Sequence, residues 1–115
     1  MAAASIPHRA LKAHKLYNLI IPLSLSTRRI LLGYKKRGFG IGKYNGFGGK
    51  VEPGETLVAS AARELYEESG ILCSEDQLTH HAVLLLETVA PGAEGEKVLE
   101  IHVFVCTQWE GEIVE

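Results

Sequence analysis

Apolar residues dominate LYNLIIPLSL, residues 16–25, and RILLGYKK, residues 29–36. Two such runs separated by a short polar STRR segment predict a pair of strands joined by a hairpin turn. Pro22 falls inside the first run. A proline cannot donate to a ladder, so it predicts an edge position or a bulge. The pattern then breaks. RGFGIGKYNGFGGK, residues 37–50, holds six glycines and predicts a loop rather than a regular element. Beyond it the apolar spacing becomes helical, with Val58, Ala61, Ala62 and Leu65 on one stripe. The helix starts near Glu55 or Thr56 and runs to Ser69, where Gly70 supplies a C-terminal stop. HAVLLLETV, residues 81–89, and VLEIHVFVCTQW, residues 98–109, predict two more strands, joined by the loop PGAEGEK.

This order predicts an α/β protein of the α+β kind, a mixed β-sheet packed by helices. One helix cannot cover both faces of a sheet, so one face is expected to be bare or covered by further chain. The 115 residues suit one domain with a modest core. Residues 1–14 are rich in Ala, basic and without acids, and read as a flexible tail. A mitochondrial targeting segment is the second reading of that tail. The domain proper is residues 15–115.

Composition narrows the function class. A hydrophobic content of 46% and a charged content of 23% describe a globular chain, and no apolar run approaches the length of a membrane span. Two cysteines, Cys73 and Cys106, make a disulfide framework unexpected and a reducing, cytoplasmic setting the default. The net charge of −2 hides a split, because residues 1–51 carry ten of the twelve Lys and Arg and all fourteen acids lie from Glu52 onward. One reading is chance segregation on a solvated surface. The other is a basic half and an acidic half closing over one anionic ligand that travels with divalent cations. A pI of about 6.2 speaks against nucleic acid as the partner.

The acids are densest in RELYEESGI, residues 63–71, where Glu64, Glu67 and Glu68 span a helical arc of roughly 100°. Like charges this close repel, and near a helix C-terminus they also face the negative end of its dipole. A solvated acidic face partly relieved by Arg63 is the plain reading. A divalent cation reverses the energetic sign, since Mg²⁺ takes oxygen ligands from one or two carboxylates and substrate phosphate. The glycine loop just before the helix favours the second reading, because its backbone amides can cradle phosphate. The loop is no P-loop: Val51 follows Gly49-Lys50, and Tyr44 stands where the first glycine would be.

GKVEPGETLVASAARELYEESGI, residues 49–71, carries Gly49, Glu55, Arg63, Glu64, Leu65, Glu67, Glu68, Gly70 and Ile71 at the spacing G-x5-E-x7-R-E-U-x-E-E-x-G-U. This resembles the Nudix hydrolase signature at every specified position. LLGYKKRGFGIGKYNGFGGKVEPGET, residues 31–56, is similar to the branch of that family formed by the eukaryotic oxidised purine nucleoside triphosphatases. The resemblance implies an α/β/α sandwich whose second, C-terminal helix is missing from this chain. It implies Mg²⁺, with Mn²⁺ as a substitute, held by the Gly48 carbonyl and by Glu64, Glu67 and Glu68. Arg63 would orient a catalytic glutamate, and Glu55 would be structural. The substrate would be contacted by Asn18 and Asn45 near the base, Phe39 in the base pocket, Lys35 near the phosphates, and Gly48 and Gly49. The implied reaction is attack of a metal-activated water on a nucleoside triphosphate such as 8-oxo-dGTP, giving monophosphate and pyrophosphate. The implied enzyme is a monomer that sanitises the cytoplasmic nucleotide pool, or the mitochondrial or nuclear one.

Three departures stand against the family pattern. Leu86 and Thr88 occupy positions where paired aromatics are expected. The chain reaches Glu115 before a further metal-site glutamate of the family, and before its base-reading acids and tryptophan. The alternatives are therefore a Nudix hydrolase of another nucleoside diphosphate derivative, or a truncated form that binds nucleotide without turnover. Other candidates carry less. His102 and Cys106 share one face of a strand but lack further zinc ligands. His80-His81 marks a strand entrance, Cys73 a structural thiol, and Trp109 either a binding aromatic or an edge-strand packing residue.

Overall fold

The computed structural model describes residues 14–34, 36, 42–89 and 96–113. The predicted tail therefore falls outside the described residues up to residue 13, as do residues 37–41 of the glycine loop and residues 91–95 of the PGAEGEK loop. Strand β1 is His14–Ser24, β2 is Arg29–Ile30, β3 is Gly33–Tyr34 and β4 is Tyr44–Asn45. Helix α1 is Leu57–Ser69, followed by a single 3₁₀ turn at Glu75–Gln77, β5 at Leu78–Val89 and β6 at Glu96–Cys106.

The main sheet has the order β2-β1-β6-β5. β1 and β6 run parallel, with Asn18 beside His102 and Ile20 beside Phe104. β5 and β6 form an antiparallel hairpin with an irregularity between His80 and Ala82 that leaves His81 as the extra residue. β3 and β4 make a small antiparallel pair, in which Tyr34 and Tyr44 rings sit 5.1 Å apart. The sheet is thus mixed, as the pattern predicts, and α1 is the one helix longer than a single turn among the described residues.

Pro22 is a correction. It lies in an interior strand, between β6 and β2, and is fully buried. The reason is directional. Even positions of β1 turn their backbone groups away from β6: the Asn18 N–H donates to the Gly49 carbonyl at 2.9 Å and the Ile20 N–H to the Phe47 carbonyl at 2.5 Å. Pro22 continues that alternation, so its missing N–H faces the gap between the glycine loop and β2 and no ladder bond is lost. Its carbonyl is used, accepting from the Leu31 N–H at 3.0 Å.

Three strand limits also differ. Residues 29–36 form two short pieces rather than one strand, although the turn between β1 and β2 is where STRR predicts it, with Arg28 left-handed at φ 56°. β5 begins at Leu78, earlier than the apolar run suggests. β6 ends at Cys106, so Trp109 is past the strand, half-buried against the core.

Helix α1 ends where local chemistry dictates. Thr56 caps it through an Ala59 N–H bond to its hydroxyl at 3.2 Å. Gly70 adopts the left-handed conformation at φ 81° and returns its N–H to the Tyr66 carbonyl at 2.9 Å. Ala61 and Leu65 are fully buried, with Val58 and Ala62 packed beside them. They meet Ile20, Phe47, Ile71, Phe104 and Cys106 to form the core. This core lies on the side of the sheet presented by the even positions of β1 and β6. The opposite side presents Leu19, Ile21, Leu23, Ile101, Val103 and Val105, all half-buried, with Leu84 and Leu86 exposed on β5.

Candidate active site

The site forms where the glycine loop passes between β1 and the middle of α1. Residues 46–51 run alongside β1 as an irregular strand, with bridges from Phe47 to Ile20 and from Lys50 to Tyr17. Glycine is required at the point of closest approach. A Cβ on Gly48 would lie 2.1 Å from the Asn18 carbonyl oxygen, which belongs to a fixed backbone. A Cβ on Gly49 would lie 2.8 Å from Glu64 Oε1, so the absence of that carbon makes room for the carboxylate.

Arg63 organises the acids. Its Nε and Nη2 donate to the two Glu55 oxygens at 2.6 and 2.8 Å, a fork-to-fork pair. Its Nη1 donates to Glu64 at 3.1 Å and to Glu67 at 3.3 Å. The Arg63 guanidinium holds the Glu55 carboxyl well down, at about 2 against an ordinary 4.5, and Glu55 in turn pushes the Arg63 pKa upward. Glu55 also accepts from the Glu52 N–H at 3.0 Å and so closes the Pro53-Gly54 turn that leads into the helix. On the far side of the arc, Glu68 accepts from the Gly48 N–H at 2.9 Å. The three signature glutamates therefore divide their duties. Glu64 is mostly buried against Gly49, Glu67 is exposed on Arg63, and Glu68 reaches the loop.

The remaining predicted residues are spread differently. Asn45 is exposed on β4, and its side-chain oxygen accepts from the Gly46 N–H at 2.8 Å. Asn18 is almost wholly buried beneath the loop. Lys35 and Phe39 lie outside the described residues. Among the described residues no three His, Cys, Asp or Glu side chains gather closely enough to hold an ion in this arrangement. The donors nonetheless fit a hard cation: every one is oxygen, and the Gly49 cradle brings the Glu64 carboxylate and the loop together.

Sequence reasoning missed Ser60, which is fully buried and accepts from Asn18 Nδ2 at 2.5 Å. Its only sequence signal is a hydroxyl on the apolar stripe of the helix. It also missed the contact of His102 with both His80, at 2.9 Å, and Glu100, at 2.5 Å. His102 and Cys106 do share the α1 side of β6, as strand alternation predicts. The two thiols are buried together, and burial pushes Cys106 up to about 12 and Cys73 upward. No helix among the described residues is long and apolar enough to cross a membrane.

A glycine turn locked to carboxylates from the following helix, under a mixed sheet, defines a class, and residues 18–115 match the NUDIX domain model. The chain belongs to that family. It is 44% identical over 98 residues to the Danio rerio protein named oxidized purine nucleoside triphosphate hydrolase, covering 84% of this chain and 58% of that one. The Mus musculus protein of the same name is 43% identical over 97 residues, covering 84% and 57%. The chain thus spans somewhat over half the length of these relatives. A crystal structure of a MutT protein from Bacillus halodurans superposes with a TM-score of 0.68 at 26% identity, over 87% of this chain and 60% of that one.

Proposed function

We propose that this chain is a nucleoside triphosphate pyrophosphohydrolase acting on oxidised purine nucleotides such as 8-oxo-dGTP. The observation that carries the reading is the joining of Gly48 and Gly49 to Glu68 and Glu64, across a loop and a helix. The names of the zebrafish and mouse relatives supply the substrate class. The Gly48 carbonyl with Glu64, Glu67 and Glu68 would hold Mg²⁺, with Mn²⁺ as a substitute. When bound, such an ion neutralises polyphosphate charge and acidifies a water.

The chain's own residues do the positioning. Arg63 holds Glu64 and Glu67 aimed along one side of the helix. Glu55 holds Arg63, and through the Glu52 N–H it fixes the entry to the helix. Asn45, Phe39 and Lys35 are assigned to the base and phosphates of the substrate, and monophosphate and pyrophosphate are the products. We assign the chain to the cytoplasmic nucleotide pool as a monomer, and its net charge of −2 gives no basic footprint for nucleic acid.

One observation favours a second reading. Leu86 is aliphatic and 47% exposed, so base stacking there is weak and another nucleoside diphosphate derivative becomes a competitor. The test is Mg²⁺-dependent pyrophosphate release from 8-oxo-dGTP, with dGTP and ADP-ribose alongside. Preferential turnover of 8-oxo-dGTP is expected, and Glu68→Gln should lower it on the order of 10²- to 10³-fold. Preferential turnover of ADP-ribose would select the second reading. Full turnover in Glu68→Gln would remove the assignment of this site.

A further inference from the structure

Two polar side chains sit at the seam between α1 and the sheet where water does not reach: Asn18 is 3% exposed and Ser60 is 0% exposed. Burying polar groups is costly unless they are partnered, and both are partnered to each other. Asn18 Nδ2 donates to Ser60 Oγ at 2.5 Å, while Asn18 Oδ1 accepts from the Gly49 N–H at 3.1 Å. From the helix side, Glu55 grips Arg63, Arg63 grips Glu64, and the Glu64 carboxylate lies against Gly49 as well. Two sets of contacts thus converge on Gly49: the Asn18 amide of β1, tied to Ser60 of α1, and the Glu64 carboxylate held by Arg63. Neither end of the Asn18 amide is left over.

Resting on the function proposed above, we infer that Asn18 and Ser60 are a pair of positioning residues. They clamp the Gly48-Gly49 turn onto β1 and α1, so that Glu64 and Glu68 meet the loop in one arrangement. Asn18 then acts through the loop and does not read the base. The sequence expectation that Asn18 contacts substrate is replaced by this role. The reason is that its amide is spent 42 residues away, on Ser60, and on Gly49.

The test uses the full chain and has a readout independent of turnover. Amide hydrogen exchange at Gly49, followed by NMR without nucleotide, should accelerate about tenfold in Ser60→Ala, because the acceptor that orients Asn18 is gone. In parallel, kcat on 8-oxo-dGTP and on dGTP should fall together by about tenfold to a hundredfold with little change in KM. Asn18→Ala should do the same, and the double variant should be no worse than either single one, since they break one device. Unchanged Gly49 exchange in Ser60→Ala would overturn the inference. So would a changed 8-oxo-dGTP to dGTP preference in Asn18→Ala alone, which would make Asn18 a base-reading residue. If the unmodified chain turns over no nucleotide, the proposed activity fails while the exchange measurement still decides the clamp. A measurement without variants covers the case in which they do not fold. In the unmodified chain the Asn18 side-chain protons should stay protected and unshifted on addition of 8-oxo-dGMP, and a shift confined to them would also overturn it.

Discussion

The two faces of the sheet invert the usual link between apolar character and burial. The face under α1 holds Asn18, Val98, His102, Phe104 and Cys106, several of them polar or small, and all are buried. The opposite face holds Leu19, Ile21, Ile101, Val103 and Val105, more apolar throughout, and none is fully buried. On β5, the four residues Val83 to Leu86 are each 43–47% exposed, whichever side they point to. What buries a residue here is the helix laid over it. Polar side chains are tolerated under α1 because each finds a partner there, and partnered groups cost little to bury. The same covering produces the site, since only the α1 face brings helix carboxylates to a loop.

That contrast can be broken by substitution, beginning at the seam. Gly48→Ala places a carbon against the Asn18 carbonyl and should be the most damaging change, at about 3 kcal/mol or more, read as a lowered midpoint in urea unfolding. Gly49→Ala meets only the movable end of Glu64, so it should leave the fold intact while displacing that carboxylate. Its turnover should fall on the order of 10²-fold with an unchanged midpoint. Next comes the core under the helix: Leu65→Ala should cost about 2–5 kcal/mol. On the uncovered edge, Leu84→Ala should cost no more than about 0.5 kcal/mol. Equal losses at Leu65 and Leu84 would mean that the second face is covered in solution, and the comparison would then fail.

The smallest effect is electrostatic. Glu55 should titrate near 2 in the folded chain, and Arg63→Gln should return it toward 4.5, both read from carboxyl carbon shifts. The depressed value means that stability from this pair is complete above pH 4.5 and is lost as pH falls toward 2. An unmoved Glu55 titration in Arg63→Gln would assign its ionisation to the Glu52 amide instead.

Much of the site is legible in the order of residues. Thr56 and Gly70 mark the helix because capping is a local act, settled by a hydroxyl and a left-handed backbone within a few residues. Arg63, Glu64, Glu67 and Glu68 declare themselves because helical geometry converts fixed spacing into a shared side. Pro22 misleads because its cost depends on which edge of the strand its nitrogen faces, and that is a matter of neighbours. Ser60 is invisible because a serine on an apolar stripe has no meaning until the strand opposite is known.

The helix, its ends and the carboxylate arc follow from residue order, through interactions spanning a turn or two, whereas the need for glycine at 48 and 49 arises from the distant Asn18 and Glu64. The interior place of β1, the pairing of Asn18 with Ser60 and the choice of covered sheet face depend instead on the assembled fold. Those outcomes rest on contacts between residues tens of positions apart. Their free energy appears only when strand, loop and helix are held together at once.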